Sequence, residues 1–506
     1  MTELAHPDRL AKLAQLRELG IDPYPARGLP AEPIAELVRG AGTPESPGER
    51  IGSQVAVAGR LLALRDFGKL IFAPLADRTG RIQVGLQRER LGEWWPRRKL
   101  LDGGDLVGVI GELGRTQKGE LTVWASEVRL LAKALAPPPE KWHGLVDIET
   151  RYRRRYVDLW ASEGVREVFE KRSRLLATIR RYLEGEGYLE VETPTLHPIF
   201  GGATARPFVT HHNALDCDLF LRIAPELYLK RLIVGGLERV FEIARNFRNE
   251  GLSKRHNPEF TMLELYEAQA DYTRMMELAE GLVEACALAV NGTTVATFRG
   301  KTYDLRKPYR RERYADLFER HAGCALDDEP RVRARARGLG SAPGADSGKL
   351  ANDVFEATVE PHLEGPVLVH DYPIEICPLA KASPSDPRFA ERFELFVAGM
   401  EIGNAFTELN DPQEQERRFA EQVASQDPEA PGEVDVDYVQ ALEFGMPPAG
   451  GLGIGVDRLA MVLTGQDSIR DVLLFPAMRP LREAAPAGAA ADGDVASEVE
   501  GGSAGR

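Results

Sequence analysis

The sequence predicts an α+β protein: a small β-barrel followed by a larger domain built on an antiparallel sheet flanked by helices. Three observations predict it. Five short β-type runs cluster between residues 52 and 133, a proline-rich break follows them, and the stretch beyond mixes β-type runs with amphipathic helices without regular alternation. At 506 residues the chain exceeds what one hydrophobic core supports, so several domains are expected. Its 43% hydrophobic and 28% charged residues exclude collagen-like, disordered and membrane classes for most of its length.

The first element is an N-terminal arm, residues 1–50, whose helix over 8–20 aligns Leu10, Leu13, Leu16 and Leu19 before Gly20, Pro23 and Pro25 stop it. The start lacks the charged-then-apolar pattern of a secretion signal, and no run of about 18 apolar residues occurs, so a cytoplasmic protein without a membrane span is expected. Next come VAVAGRLLAL, KLIFAPLAD, RIQVGLQ, DLVGVIGEL and ELTVWASEVRLLA, separated by RDFGK, DRTGR, DGGD and TQKGE. Five strands with glycine-bearing turns over residues 51–135 predict a five-stranded barrel of OB-fold type. LAPPPEKWHG then supplies a stiff linker, placed at 136–150.

Residues 151–482 form the larger domain. Val165, Val168, Phe169, Arg172, Leu175, Leu176, Ile179 and Leu183 recur at helical spacing up to Gly185 and Gly187. YLEVETPTL reads as a strand broken at Pro194, and DLFLRI, RVFEIARNF, EFTMLELYEA, FELFVAGMEI and GLGIGVDR read as further strands. The tail, 483–506, is poor in bulky apolar residues and is predicted to be disordered.

The four cysteines, Cys217, Cys286, Cys324 and Cys377, lie far apart and form no CxxC pair, which argues against a disulfide framework or a thiolate zinc site. A formal charge of −14 argues against a nucleic-acid coat, although RYRRRY and WWPRRK leave room for a local basic surface. Phosphate-loop, dinucleotide and HExxH signatures are missing, so a nucleotide must be held another way.

FRNEGLSKRHNPEF, residues 247–260, offers one. A strand carrying Arg245 and Arg248 beside Glu250 runs into a basic loop, and a returning strand begins at Glu259; Arg248 can fork a phosphate while the Phe260 ring stacks on a base. A lone arginine–glutamate pair would more often be a surface salt bridge. The run resembles motif 2 of the class II aminoacyl-tRNA synthetases. GLGIGVDRLAMVL at 451–463 is similar to their motif 3 and EGYLEVETPTL at 186–196 to their motif 1, in family order, and the resemblance spans roughly residues 8–480. It implies a six-stranded antiparallel catalytic sheet and a homodimer through motif 1. It also implies that Arg248 meets the α-phosphate and substrate carboxylate, that Glu250, His256 and Asn257 hold the nucleotide, and that Phe260 and Arg458 sandwich adenine.

Glu394, Glu401 and Glu408 follow at intervals of seven. In one strand that odd spacing places Glu394 and Glu401 on opposite faces unless a turn or bulge intervenes, a point the sequence leaves open. The resemblance implies Mg²⁺ carried on Glu394 and Glu401 with the ATP phosphates.

Substrate choice should show as matching chemistry: an ammonium needs carboxylates and can use a phenol. RIAPELYLK, ELYEA and NAFTEL, with GGATARPF, are similar to the lysine branch of the class. That likeness implies Glu226, Tyr266 and Glu408 at the ε-ammonium, Gly202 and Glu264 at the α-amino group, and Asn404 with Arg248 at the carboxylate. The function implied is ATP-dependent ligation of lysine to tRNA through lysyl-adenylate. Aspartate and asparagine enzymes share the barrel and motifs but differ at APELYLK, and an aspartate enzyme would need cations where this chain has acids. The retained arginines, acids and motif 3 disfavour an inactive RNA-binding paralogue, and the intact barrel disfavours a shortened paralogue that lysylates a protein. Ala244 and Cys377 depart from the family pattern, which has a polar residue and a serine there. In the barrel, Phe72, Gln83 and Glu127 match positions that read the anticodon in related synthetases, although Phe72 could equally pack in the core.

Overall fold

The computed structural model describes residues 4–42, 48–139, 144–341, 346–425 and 429–480. The predicted disordered tail and the middle of the predicted linker lie outside the described residues. The chain divides into two compact units, Met1–Asp147 with Tyr156–Glu163, and Ile148–Arg155 with Gly164–Arg506. Tyr156–Glu163 belongs to the first unit, where the Arg60 guanidinium lies 4.7 Å from the Trp160 ring.

In the first unit, helix α1 (Pro7–Glu18) buries Leu13 and Leu16 but leaves Leu19 exposed, and a second short helix, α2 (Ile34–Gly40), buries Ile34 and Leu37. The barrel strands are β1 (Arg50–Leu61), β2 (Leu70–Ala76), β3 (Arg81–Gln87), β4 (Leu106–Arg115) and β5 (Leu121–Ala132). Their order is β1-β4-β5-β3-β2, and β2 pairs back onto β1 through Arg60 and Ala76, closing the five-stranded barrel. Alternation assigns the faces: Ile71, Ala73, Leu75, Ile82, Val84, Val123 and Ala125 fill the interior, so Phe72, Gln83 and Trp124 belong to the outer face.

The second unit centres on an eight-stranded sheet. Helix α3 (Val165–Gly185) precedes strand β6 (Leu189–Glu190); helix α4 (Glu226–Val234) precedes β7 (Arg239–Phe247) and β8 (Glu259–Ala268); helix α5 (Tyr272–Asn291) follows. Then come β9 (Arg310–Arg313), β10 (Val367–Pro373), β11 (Phe389–Val397), β12 (Met400–Thr407), β13 (Ala449–Gly455) and helix α6 (Val456–Thr464). The order is β9-β10-β11-β12-β13-β8-β7-β6. The six central strands are antiparallel, as expected, and both edge pairings, β9 with β10 and β7 with β6, are parallel, which makes the eight-stranded sheet as a whole mixed. Both edge strands are very short and reach their neighbours by long connections, as parallel pairing requires. The motif 1 segment accordingly yields two-residue strands at Leu189–Glu190 and Leu196–His197 instead of one broken strand.

One sheet face is apolar. Leu263, Leu265, Leu395, Ile402, Leu452 and Ile454 pack with Leu175 and Ile179 of α3, Leu278 and Leu282 of α5, and Leu459 and Val462 of α6. Side chains of the alternate positions therefore project from the other face, and there the polar residues gather.

Candidate active site

Strand register builds the site. One cross-strand row reads Glu394, Asn404, Gly453, Glu264, Glu242; the next reads Arg392, Phe406, Gly451, Tyr266, Val240. In both rows the middle strand, β13, contributes glycine, so the sheet floor carries no side chain at its centre and acids, an amide and aromatic groups stand around it. Gly202, Glu226, Arg248, Glu264, Tyr266, Glu394, Glu401 and Asn404 line one cavity of about 630 Å³.

The spacing of Glu394 and Glu401 is resolved by a hairpin and a bulge. FELFVAGMEI is not one strand: Ala398 and Gly399, both at positive φ, turn β11 into β12, and the ladder skips a residue between the Leu395–Gly403 and Phe396–Glu401 pairs. The turn sets Glu401 opposite Phe396 and so on the face of Glu394, the extra residue Ile402 then keeps Asn404 on that face, and both carboxylates reach the cavity. Glu394 accepts from Tyr372 (2.8 Å) and Arg392 (2.6 Å), and burial, opposed by Arg392 and aided by Glu401, pushes its carboxyl up to about 7. Burial, with Glu394, Glu356 and Glu401 adding to it, pushes Glu360 up to about 8. This surplus of negative charge fits a hard cation. Among the described residues no cluster of three or more acids, histidines or cysteines is poised to hold a metal, and a cation on these acids would share its shell with water and phosphate oxygens.

The hairpin β7–β8 carries the basic group. Asn246 stands opposite Phe260, and the Arg248 guanidinium lies 5.1 Å from the Phe260 ring while its Nε is buried without a partner. Burial lowers the Arg248 pKa, with Glu250, Glu401 and Glu264 opposing. Glu250 is exposed at the start of the loop. His256 Nε2 lies 3.3 Å from Arg458 Nη2; partial burial and Arg458, Arg248 and Arg255 hold its pKa down. Arg458 donates to the Glu401 carboxylate (3.0 Å) and carbonyl (2.9 Å). Asn257 does not face the cavity: its amide donates to the Glu259 carbonyl (2.6 Å) and accepts from the Ala477 amide (3.2 Å). Behind Arg458, Asp457 accepts from the Thr261 amide (2.8 Å) and pairs with Arg172 (2.7 Å), tying α6 to β8 and α3.

Glu226 and Tyr266 line the cavity and Glu408 adjoins it at Gly451; all three are buried. Burial raises the Glu226 and Glu408 carboxyls, Glu408 to about 8, although Lys230 opposes both; burial and then Glu226 push Glu264 up to about 8 against Arg248. A Cβ at Gly451 would come within 2.5 Å of the Tyr266 ring and closer still to Glu408 Oε1, so only glycine lets these groups meet.

Three residues here escaped sequence reasoning. Lys230, one helical turn after Glu226, is fully buried, donates to Glu226 (2.6 Å) and pairs with Glu408. Its signal was the i,i+4 spacing in ELYLK, a pattern usually found at the surface. Arg392 donates to Asn404 Oδ1 (2.9 Å) as well as Glu394; because arginine only donates, this fixes the Asn404 NH₂ as its free donor. Trp124 meets Phe72 edge-on (5.9 Å) and lies across Gly85 on the outer barrel face. On that face Phe72 is half-buried, Gln83 is buried and donates to Thr122 (3.0 Å), and Glu127 is exposed and paired with Arg129.

Residues 147–479 match the family model of class II tRNA synthetases (D, K and N), and residues 55–131 match that of the OB-fold nucleic acid binding domain. A lysine--tRNA ligase of Moorella thermoacetica is 52% identical over 484 residues, covering 94% of this chain and 98% of that protein. The chain belongs to the lysine--tRNA ligase family. Relatives of the same name from Syntrophomonas wolfei (51% identical, 93% of this chain and 96% of that protein) and Chromobacterium violaceum (50%, 94% and 96%) are similar over the same span. Within this ligase fold the two departures are internal: Ala244 is buried opposite Met262, and the buried Cys377 Sγ accepts from Arg392 at 3.3 Å.

Proposed function

We infer that the chain ligates lysine to tRNA with ATP, through lysyl-adenylate, releasing pyrophosphate and AMP. The observation that carries the lysine assignment is the buried acidic group at the cavity wall, where Glu226 and Tyr266 line the cavity and Glu408 adjoins them at Gly451. An ammonium satisfies such a site, whereas an acidic side chain would add a further buried negative charge.

In this scheme Glu226, Tyr266 and Glu408 receive the ε-ammonium, and Gly202 and Glu264 the α-amino group. The Asn404 NH₂ and Arg248 hold the carboxylate, whose oxygen attacks the α-phosphorus. Arg248 neutralises the charge developing there, Phe260 and Arg458 hold the adenine, and Glu250, His256 and Asn257 complete the nucleotide site, Asn257 by bracing the loop. A divalent cation such as Mg²⁺ on Glu394 and Glu401 would neutralise the phosphates. Positioning and charge neutralisation suffice, and no protein nucleophile is needed. The adenylate then transfers its acyl group to a terminal hydroxyl of tRNA.

The outer barrel face offers Phe72, with Trp124 beside it, for stacking on an anticodon base, and Gln83 and Glu127 for hydrogen bonds. Leu189 and Leu196 in the motif 1 segment are solvent-exposed, which supports a homodimer through that segment. Among the described residues no helix is long and apolar enough to cross a membrane, and a cytoplasmic location is proposed. Amino-acid-dependent pyrophosphate exchange into ATP tests the reading: lysine should support exchange, and exchange with aspartate but not lysine would overturn it.

A further inference from the structure

Lys230 takes no part in the proposed chemistry, yet its ammonium is fully buried between two carboxylates assigned to the substrate side chain. A charge removed from water must be compensated in place, and the Phe406 ring at 5.2 Å and the Tyr266 ring at 5.9 Å leave little room for water to do it. Lys230 pairs with both acids, yet one oxygen is left over. Lys230 holds Glu226 at 2.6 Å and pairs with Glu408 Oε2, whereas Glu408 Oε1 is buried without a hydrogen-bond partner and faces the side-chain-free floor at Gly451.

We propose that Lys230 is a positioning residue that sets the charge balance of the lysine subsite, a role that rests on the lysine reading of the cavity. With substrate seated, two carboxylates face two ammoniums, one resident and one arriving. Lys230 holds Glu226 and one side of Glu408, so the outward oxygen of Glu408 is left for the ε-ammonium. Removing either member of the Lys230–Glu226 pair alone leaves an unbalanced buried charge; removing both restores the balance.

The test is pyrophosphate exchange against lysine concentration in the full-length wild type, Glu226→Gln, Lys230→Met and the double variant. Glu226→Gln leaves two ammoniums against one carboxylate and should raise the lysine KM about a hundredfold. Adding Lys230→Met to it should recover about tenfold, with the ATP KM within about twofold of wild type throughout, an outcome that a merely structural lysine would not produce. Where Lys230→Met alone does not fold, the double variant, which buries no unbalanced charge, still decides the matter. A double variant whose lysine KM is no better than that of Glu226→Gln overturns the proposal. A wild type without lysine-dependent exchange overturns the lysine reading instead.

Discussion

Gly451→Ala should close the amino-acid end of the cavity while leaving the nucleotide end intact. The added methyl would sit 2.5 Å from Tyr266 Cε1 and nearer still to Glu408 Oε1, where ordinary contact begins at 3.4 Å. The tyrosine ring would have to retreat by about 0.9 Å. It has no free path, since Tyr266 is buried on a central strand and Glu408 is pinned by Lys230. Overpacking of this kind costs about 1–3 kcal/mol. Because the displaced groups are those proposed to bind the ε-ammonium, that cost should fall on lysine binding, a rise in lysine KM of about fivefold to 150-fold. The assay is pyrophosphate exchange with lysine and ATP varied separately: the ATP KM should stay near the wild-type value. A folded variant with unchanged lysine KM, or one in which both KM values rise together, would refute the reasoning.

Arg392→Met should release the Asn404 amide and raise the lysine KM by about tenfold or more, because misplacing a positioning group by about 1 Å is costly; steady-state exchange kinetics check it, and an unchanged KM counts against that role. Glu408 and Glu264 have carboxyls pushed up to about 8, and an ammonium binds their ionised forms. Lysine binding should therefore release protons below that pH, and the lysine KM should climb about tenfold for each pH unit and proton on acidification; a flat profile below pH 8 contradicts this. Asp457→Ala leaves the half-buried Arg172 and the buried Thr261 amide without their acceptor and should cost about 1–3 kcal/mol, read as a lowered denaturation midpoint. Phe72→Ala should weaken tRNA charging, with a rise in the tRNA KM equivalent to about 1–3 kcal/mol, yet leave lysine-dependent exchange unchanged; equal loss in both assays would place Phe72 in the fold alone.

The barrel was legible because each strand shows its inward residues by alternation: Ile71, Ala73 and Leu75 in KLIFAPL leave Phe72 outside once the face is known. The large helix at Val165–Gly185 was legible from its apolar spacing and the glycines at its end. The hairpin at Ala398–Gly399 was hidden because FELFVAGMEI has no polar residue between Glu394 and Glu401, so neither its turn nor the bulge at Ile402 breaks the apolar run. The parallel edges were hidden too, since β6 and β9 owe their pairing to distant chain and not to local composition. Within the site, motif residues could be named from resemblance, but the rows that align Glu394 with Asn404 and Glu264, and Phe406 with Tyr266 across Gly451, follow from strand register alone. Lys230 and Arg392 were passed over for a related reason: their importance lies in which acids and amides surround them, and those partners come from other elements.

The most direct measurement of the central claim is aminoacylation by the purified protein with ATP, Mg²⁺, tRNA and labelled amino acids supplied one at a time. Label from lysine should appear on tRNA(Lys), and label from aspartate or asparagine should not. Transfer of aspartate or asparagine in place of lysine, or no transfer of lysine to tRNA, would contradict the claim.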